Sequence, residues 1–151
     1  MKKVPLYLFF LLFVSCSCKK NNSLGPSPVP YVSVYTQIDI STPLYGNLNT
    51  PGGFVYIAGG NKGIIVLQDF LQNFWAFDRT CPYQPTAACG IIRMQQPDYT
   101  YMVCGSYSGQ KLDACCASTF GLDGTVTHGP STYPLKAYRV SQSGTVLTIS
   151  N

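Results

Sequence analysis

Cysteine is the residue type in this 151-residue chain best suited to chemistry, and two of the seven cysteines are adjacent. Cys115 and Cys116 stand side by side in the stretch LDACCASTFG, which covers residues 112–121. Cysteine thiolates bind metal ions, attack disulfides and are oxidised to disulfides themselves. Because neighbouring side chains of an extended backbone point to opposite faces, we expect the two sulfurs to have different partners from elsewhere in the chain.

The N-terminus has the pattern of an export signal. Two lysines follow Met1, residues 6–14 form the apolar run LYLFFLLFV, and small residues come directly after it. This pattern predicts a signal peptide over residues 1–15. The apolar run is too short to span a bilayer, which needs about 20 residues in a helix.

The residues before Cys16, Phe-Val-Ser, resemble a bacterial lipobox, in which the cysteine is diacylated and becomes the mature N-terminus. Phe13 takes the place of the usual leucine, and Cys18 is the poorer site because no aliphatic residue stands where one is expected. The resemblance implies a protein of the bacterial cell envelope that is held at a membrane by lipid on Cys16. A plain secreted protein cleaved nearby is the alternative.

Charge and composition divide the rest of the chain into a tether and one domain. Ten Lys and Arg residues stand against six Asp and Glu residues, and loss of Lys2 and Lys3 with the signal leaves a net charge of about +2, too weak for nucleic-acid binding. Three prolines at the end of residues 16–30 predict that this segment is an extended tether. The lipid on Cys16 would be at its start. Residues 31–151 have the length and apolar content of a single domain.

Hydrophobic periodicity predicts an all-β domain. Polar and apolar residues alternate in some segments and short apolar runs end at turn residues in others, which predicts strands near residues 32–40, 54–58, 63–68, 73–78 and 145–150. The last strand should form a hairpin with residues 135–141. A single helix is considered at residues 42–48. Short strands at this spacing favour an antiparallel sandwich or barrel.

Residues 79–134 differ from this pattern, because they are rich in Cys, Pro, Gly and Tyr. Such a composition predicts a subdomain built of loops on a β scaffold, and loops of this kind carry most binding and catalytic sites. We therefore expect any special chemistry in this segment.

Two stretches of the segment resemble the cluster-binding loops of the Rieske iron–sulfur domain. They are AFDRTCPYQ at residues 76–84 and CCASTFGLDGTVTHGPSTYPLKAYRV at residues 115–140, and the resemblance spans roughly residues 54–151. It implies a Rieske-like antiparallel β fold with a cluster-binding type of subdomain. The matching framework positions are Ser118, Phe120, Gly124, Val126, Gly129, Pro130, Pro134, Leu135 and Tyr138.

The resemblance also identifies the positions equivalent to the cluster ligands. Cys81 retains the first cysteine, Tyr83 occupies the first histidine position, Asp113 stands at the second cysteine and Cys116 replaces the second histidine. A Rieske cluster requires two thiolates on one iron and two imidazoles on the other. Since three of the four positions are changed, we expect no cofactor, and the resemblance implies a non-catalytic binding or scaffold module with an envelope protein as a partner.

The same resemblance implies disulfides. Cys81 and Cys116 lie on the two facing loops, where a disulfide would replace the lost cluster. A second bridge would join Cys115 to Cys89 and leave Cys104 over. Pairing Cys89 with Cys104, across an extra hairpin of residues 91–94 with 100–103, would instead leave Cys115 free.

Other functions remain open. A [2Fe–2S] cluster or another metal could serve electron transfer if it were held by a reorganised set drawn from the domain cysteines and His128. Cys81, Cys116 and His128, with Asp113, could bind zinc, although His128 is otherwise a polar residue on the Gly-Pro loop. Thiol–disulfide exchange by Cys115 or Cys116 is a third function, weakened by the absence of a Cys-x-x-Cys motif.

Several tyrosines of the segment would cap the former cluster pocket or form an aromatic surface: Tyr83, Tyr99, Tyr101, Tyr107 and Tyr133.

Overall fold

The computed structural model describes residues 26–151, so the predicted signal peptide, Cys16, Cys18 and the first part of the tether lie outside the described residues. The regular secondary structure of the described chain is almost entirely β-strand, which confirms the predicted fold class. Its elements in order are β1 (Tyr35–Asp39), a 3₁₀ helix (Gly46–Asn49), β2 (Phe54–Ile57), β3 (Ile64–Gln68), β4 (Phe74–Asp78), β5 (Ile92–Met94), β6 (Met102–Ser108), β7 (Lys111–Phe120), β8 (Val126–His128), β9 (Ala137–Ser143) and β10 (Val146–Ser150). Within residues 26–151, no helix is long and apolar enough to cross a membrane.

The strands form two antiparallel sheets. A six-stranded sheet has the order β1-β10-β9-β4-β3-β2, and a four-stranded sheet has the order β5-β6-β7-β8. The second sheet is inserted between β4 and β9, which pair with each other in the first sheet through Ala76 with Tyr138 and Phe77 with Ala137. The predicted subdomain at residues 79–134 is this insertion. It contains a four-stranded sheet, and in that respect it differs from the loop-built subdomain expected from its composition.

Strands β3 and β4 separate two hydrophobic cores. All five residues of β3 are buried, because alternate side chains point to opposite sides of the sheet and both sides are covered. Ile64 and Val66 face a core closed by β1, β9 and β10. Ile65 and Leu67 face a second core, shared with the four-stranded sheet. The insertion is therefore packed on the outer face of the first sheet.

Several boundaries differ from the sequence prediction. The hairpin expected at residues 91–94 and 100–103 exists as β5 and β6, and β6 continues to Ser108. The segment considered as a helix contains turns and only the short 3₁₀ helix, where Asn49 Nδ2 donates to the carbonyls of Ile40 and Gly46. Residues rich in Asn, Gly and Pro favour such turns over an α-helix.

The end of the predicted tether rests on the domain. Val29 is buried, and Lys136 Nζ donates to the carbonyl oxygen of Pro30 over 2.7 Å. Asn151 holds the next residues, because its side chain accepts from Val34 N and donates to the Val32 carbonyl. The chain is thus fixed to the six-stranded sheet from about residue 29 onward.

A buried carboxylate fixes the point at which the chain leaves the six-stranded sheet. Asp78 ends β4 and is fully buried. Its oxygens accept hydrogen bonds from Asn61 N (2.7 Å), Thr80 N (2.9 Å), Thr80 Oγ1 (2.6 Å) and Tyr138 Oη (2.8 Å). Gly60 lies so close that a Cβ there would be 2.5 Å from Asp78 Oδ2. Burial alone would raise the pKa of Asp78, but these hydrogen bonds outweigh it and lower the pKa.

We predict that Asp78→Asn lowers the free energy of unfolding by about 2–4 kcal/mol, because the amide cannot accept from all four donors and leaves buried groups unpaired. Tyr138→Phe should cost about 1 kcal/mol, since it removes one of these bonds. Urea unfolding measures both effects. The exposed Asp98 offers a matched control, and Asp98→Asn should change the stability little.

The same measurement has an expected pH dependence. Because the pKa of Asp78 is lowered on folding, its contribution is fully present above the ordinary carboxyl value of 3.8 and is lost as the pH falls through the lower folded value. The wild type should therefore lose more stability than Asp78→Asn on acidification below that ordinary value. Equal acid losses in the two proteins would contradict the assignment.

Candidate metal centre

Three free thiols meet between the two sheets. The Sγ atoms of Cys81, Cys104 and Cys116 all lie within 4.8 Å of one another, and those of Cys81 and Cys116 are 3.6 Å apart. Cys81 and Cys104 are fully buried, whereas Cys116 is half-buried and forms the solvent-facing edge of the cluster. We call these three residues the thiol cluster. It is a soft-ligand site with one accessible side.

Cys81 is positioned by the loop that follows the Asp78 carboxylate. Its backbone N donates to the Gly90 carbonyl over 3.0 Å, and Thr80 forms an isolated β-bridge with Ile91. Lys62 Nζ donates to the carbonyls of Ala87 and Gly90 and so ties the far end of the same loop to the six-stranded sheet. Cys81 therefore lies in a loop that is held at both ends.

Cys104 and Cys116 meet through an irregularity in the pairing of β6 with β7. Val103 faces Thr119 and Gly105 faces Ala114, so Cys104 alone stands opposite residues 115–118. Extra residues on one strand make it bend away from the regular ladder. Gly105 permits the close approach of the strands, because its φ is 150° and a Cβ there would lie 2.5 Å from the Asp113 carbonyl oxygen.

The two adjacent cysteines have different partners, as expected from strand geometry. Cys115 forms a disulfide with Cys89, and Cys116 reaches the thiol cluster. Of the two second bridges left open by the sequence, the structure contains the one between Cys89 and Cys115. This bridge ties the loop of residues 81–90 to β7, immediately beside Cys116.

The other expected cysteine pairings are not formed. Cys81 and Cys116 are in contact but both remain free thiols, and Cys104 is also free, so neither the Cys81–Cys116 nor the Cys89–Cys104 disulfide is present. Cys104 is the cluster member that the ligand-equivalent positions omitted. The signal for it was its spacing of two from Met102, which places both side chains on the face of β6 that packs in the second core.

The remaining candidate ligands lie elsewhere. Tyr83 is 48% exposed, and Asp113 is an exposed residue of β7. His128 is exposed at the end of β8, paired with Thr119. Among residues 26–151, the groups of side chains with metal-ligand spacing do not include these three. The structure therefore brings together Cys81 and Cys116 of the predicted set, and adds Cys104.

The cluster favours one thiolate within a buried environment. A hydrogen bond from Cys104 and bonds from the backbone of Gln84 and Tyr83 outweigh burial and lower the pKa of Cys81 to about 6. The pKa of Cys104 is raised, because its thiol is the hydrogen-bond donor to Cys81 and is itself buried. The surrounding core is apolar, with Phe77, Ile92 and Phe120 among its members.

These residues do not fit a Rieske cluster. That cluster needs two thiolates and two imidazoles, whereas the thiol cluster contains three sulfurs and the histidine of the described chain lies outside it. An all-cysteine [2Fe–2S] site needs four thiolates, and the other two cysteines of the domain are joined in a disulfide. The donor set suits a single thiophilic ion.

Comparisons with known proteins give little further information. No protein-family model matches the chain, and no curated protein matches it. Among solved structures, the chain is similar to the ferredoxin of carbazole 1,9a-dioxygenase from Nocardioides aromaticivorans IC177, at 17% sequence identity and a TM-score of 0.44, over 69% of this chain and 91% of that one. A likeness this distant carries no functional inference, and the site is interpreted from its own geometry.

We predict an order of alkylation for the five domain cysteines in the native, unreduced protein. Cys116 should react first because it is the accessible free thiol, and Cys81 and Cys104 should react much more slowly because they are buried. Cys89 is exposed, yet it and Cys115 should react only after reduction. Timed iodoacetamide labelling with peptide mass mapping measures this order. Labelling of Cys89 before reduction would contradict the disulfide.

Proposed function

We propose that this domain is a non-enzymatic metal-binding module, which holds a divalent zinc-type ion through Cys81, Cys104 and Cys116. The observation that carries the proposal is the convergence of three free thiols from three chain segments on one buried point. Soft thiolate ligands select zinc, copper(I) and iron–sulfur clusters over hard cations. The described residues supply the ligands without any change of strand pairing.

The sulfur spacing supports metal ligation. A tetrahedral ion with Zn–S bonds of about 2.3 Å separates two of its sulfurs by about 3.8 Å. Cys81 Sγ and Cys116 Sγ are 3.6 Å apart, and the third sulfur lies within 4.8 Å of both. Small side-chain rotations would equalise these distances around a central ion.

The apolar surroundings favour a divalent ion over a monovalent one. Three thiolates around a 2+ ion leave a net charge of −1, whereas around copper(I) they leave −2, and burial of charge in an apolar core is costly. The half-buried Cys116 leaves one side of the cluster open, where the ion can enter and water can occupy a fourth position.

Thiol–disulfide redox activity is a second candidate, favoured by the contact between Cys81 and Cys116. Oxidation of the pair by a small disulfide would form one S–S bond and break that of the oxidant, which takes up the two electrons and two protons and becomes two thiols. This reaction leaves Cys104 without a role. Metal ligation uses all three thiols, and for this reason it is the function that we propose first.

We predict that the reduced, full-length protein binds one Co²⁺ ion per chain under anaerobic conditions, with the charge-transfer absorption of Co–thiolate bonds. Zn²⁺ should displace Co²⁺ and raise the free energy of unfolding, by about 2.7 kcal/mol at a hundredfold excess over the dissociation constant. Cys116→Ser should abolish stoichiometric binding, because it removes one of three ligands at the exposed edge where the fold tolerates the change.

Two matched variants serve as controls for this experiment. His128→Ala removes the exposed imidazole, and Cys18→Ser removes a thiol outside the domain; both should bind like the wild type. Unchanged binding by Cys116→Ser would exclude the three-thiol site. A protein that binds no metal but converts Cys81 and Cys116 into a disulfide with oxidised dithiothreitol would establish the redox function instead.

We also propose that the module is attached to a membrane of the bacterial cell envelope by lipid on Cys16, where an envelope protein is its partner. The support is the sequence pattern of residues 1–16, together with a tether that could hold the domain clear of a lipid surface.

Metabolic labelling with radioactive palmitate should mark the wild-type protein expressed in a bacterial host and should fail to mark Cys16→Ser. Cys18→Ser is the matched control and should be labelled normally. Equal labelling of the Cys16 variant and the wild type would contradict lipidation at this position.

A further inference from the structure

A polar cavity lies beside the hairpin of β5 and β6, outside the thiol cluster. Its volume is about 330 Å³, at the lower end of the range for small-ligand sites. Tyr56, Arg93, Tyr99 and Tyr107 line it together with Phe54. No acidic side chain contributes to the lining. The metal proposal does not use this cavity.

The polar side chains that line the cavity have hydrogen-bond donors that no acceptor of the described residues uses. Arg93 Nε donates to the Gly105 carbonyl over 3.2 Å, which fixes the side chain and leaves its two outer nitrogens without a hydrogen-bond partner among the described residues. Tyr56 Oη accepts from Met94 N over 3.0 Å, and Tyr107 Oη accepts from Gln96 N over 2.9 Å. Each hydroxyl therefore retains its own hydrogen to donate.

A second arginine makes the region more positive. Arg79 stacks on the Tyr56 ring, with its guanidinium carbon 4.0 Å from the centroid, and its Nε donates to the Ile92 carbonyl over 3.0 Å. Burial and the neighbouring charge of Arg93 lower the pKa of Arg79. Within residues 26–151, neither arginine has a carboxylate within hydrogen-bond distance. A bound anion would relieve this repulsion, because it places a negative charge where two positive charges are partly desolvated.

The walls of the cavity favour a ring. Phe54 and Tyr99 face each other with their centroids 5.3 Å apart and their planes tilted by 45°, and Phe54 also meets Tyr56 edge to face. Aromatic side chains in such arrangements gain from contact with a further ring. A planar guanidinium recognises a carboxylate through two parallel hydrogen bonds.

We propose that this cavity binds a small aromatic carboxylate, whose carboxylate is held by Arg93, Tyr56 and Tyr107 and whose ring lies against Phe54 and Tyr99. The guanidinium supplies the charge and the paired donors, and the aromatic walls supply the apolar contact. Binding at this place requires neither a metal ion nor the free thiols. Its failure or success is therefore independent of the thiol cluster.

Ligand-observed NMR on the full-length protein, with benzoate as the probe, tests the proposal. Benzoate should bind at least about tenfold more tightly than benzamide, which has the same shape without the charge, and than acetate, which lacks the ring. Arg93→Gln should weaken benzoate binding about tenfold or more, and Arg93→Lys should restore it only in part. Arg139→Gln, at an exposed arginine of β9, is the matched control and should leave binding unchanged.

Ligand binding by the wild-type protein alone can already contradict the proposal, whether or not the variants fold. The proposal would be overturned if benzoate did not bind. It would also be overturned if benzamide or acetate bound as tightly as benzoate, or if inorganic phosphate bound more tightly. For the variants, circular dichroism establishes that the fold is intact. A folded Arg93→Gln protein with unchanged benzoate affinity would also overturn it.

Discussion

The position of the thiol cluster depends on one buried carboxylate. Asp78 accepts hydrogen bonds from the turn after β2, from β9 and from Thr80, the residue directly before Cys81. A buried carboxylate is stable only while its oxygens are satisfied. The loop that carries Cys81 must therefore begin in one conformation. Tyr138 supplies the link from this carboxylate to the β9 strand.

The second constraint is the burial of β3 and β4 on both faces. Their outward side chains, among them Leu67 and Phe77, would form an exposed apolar patch if the four-stranded sheet were absent. The insertion is thus part of the folding core. Its thiols share that core, since Cys81 and Cys104 pack with Phe77 and Ile92. A site inside a core keeps its geometry because close-packed interiors resist displacement.

Strand positions followed from the sequence because period-two alternation has a direct cause in the pleat of a strand. The different partners of Cys115 and Cys116 followed from the same rule. Cys104 was named only as one of the domain cysteines from which a ligand set could be drawn. Its place beside Cys81 and Cys116 could not be predicted, because the register of β6 against β7 shifts beside it and local patterns carry no information on such a shift. The resemblance to a ligand motif also placed Tyr83 and Asp113 at ligand-equivalent positions, and the folded chain leaves both side chains exposed. The arginine cavity depends on contacts between β2, β5 and β6, which no single segment encodes.

The disulfide decides what the remaining cysteines can do. The bridge joins residues that are 26 positions apart in the sequence. In the chain-entropy description, it stabilises the folded state by about 3–4 kcal/mol, because it lowers the entropy of the unfolded chain. It also holds the loop of Cys81 against β7 without using any of the three clustered thiols. Had Cys89 paired with Cys104, one thiol of the cluster would be consumed and Cys115 would be left free. Because Cys115 takes the bridge, Cys116 stays available as a free thiol beside Cys81. The adjacent pair therefore places a disulfide cysteine and a free thiol side by side in a single strand.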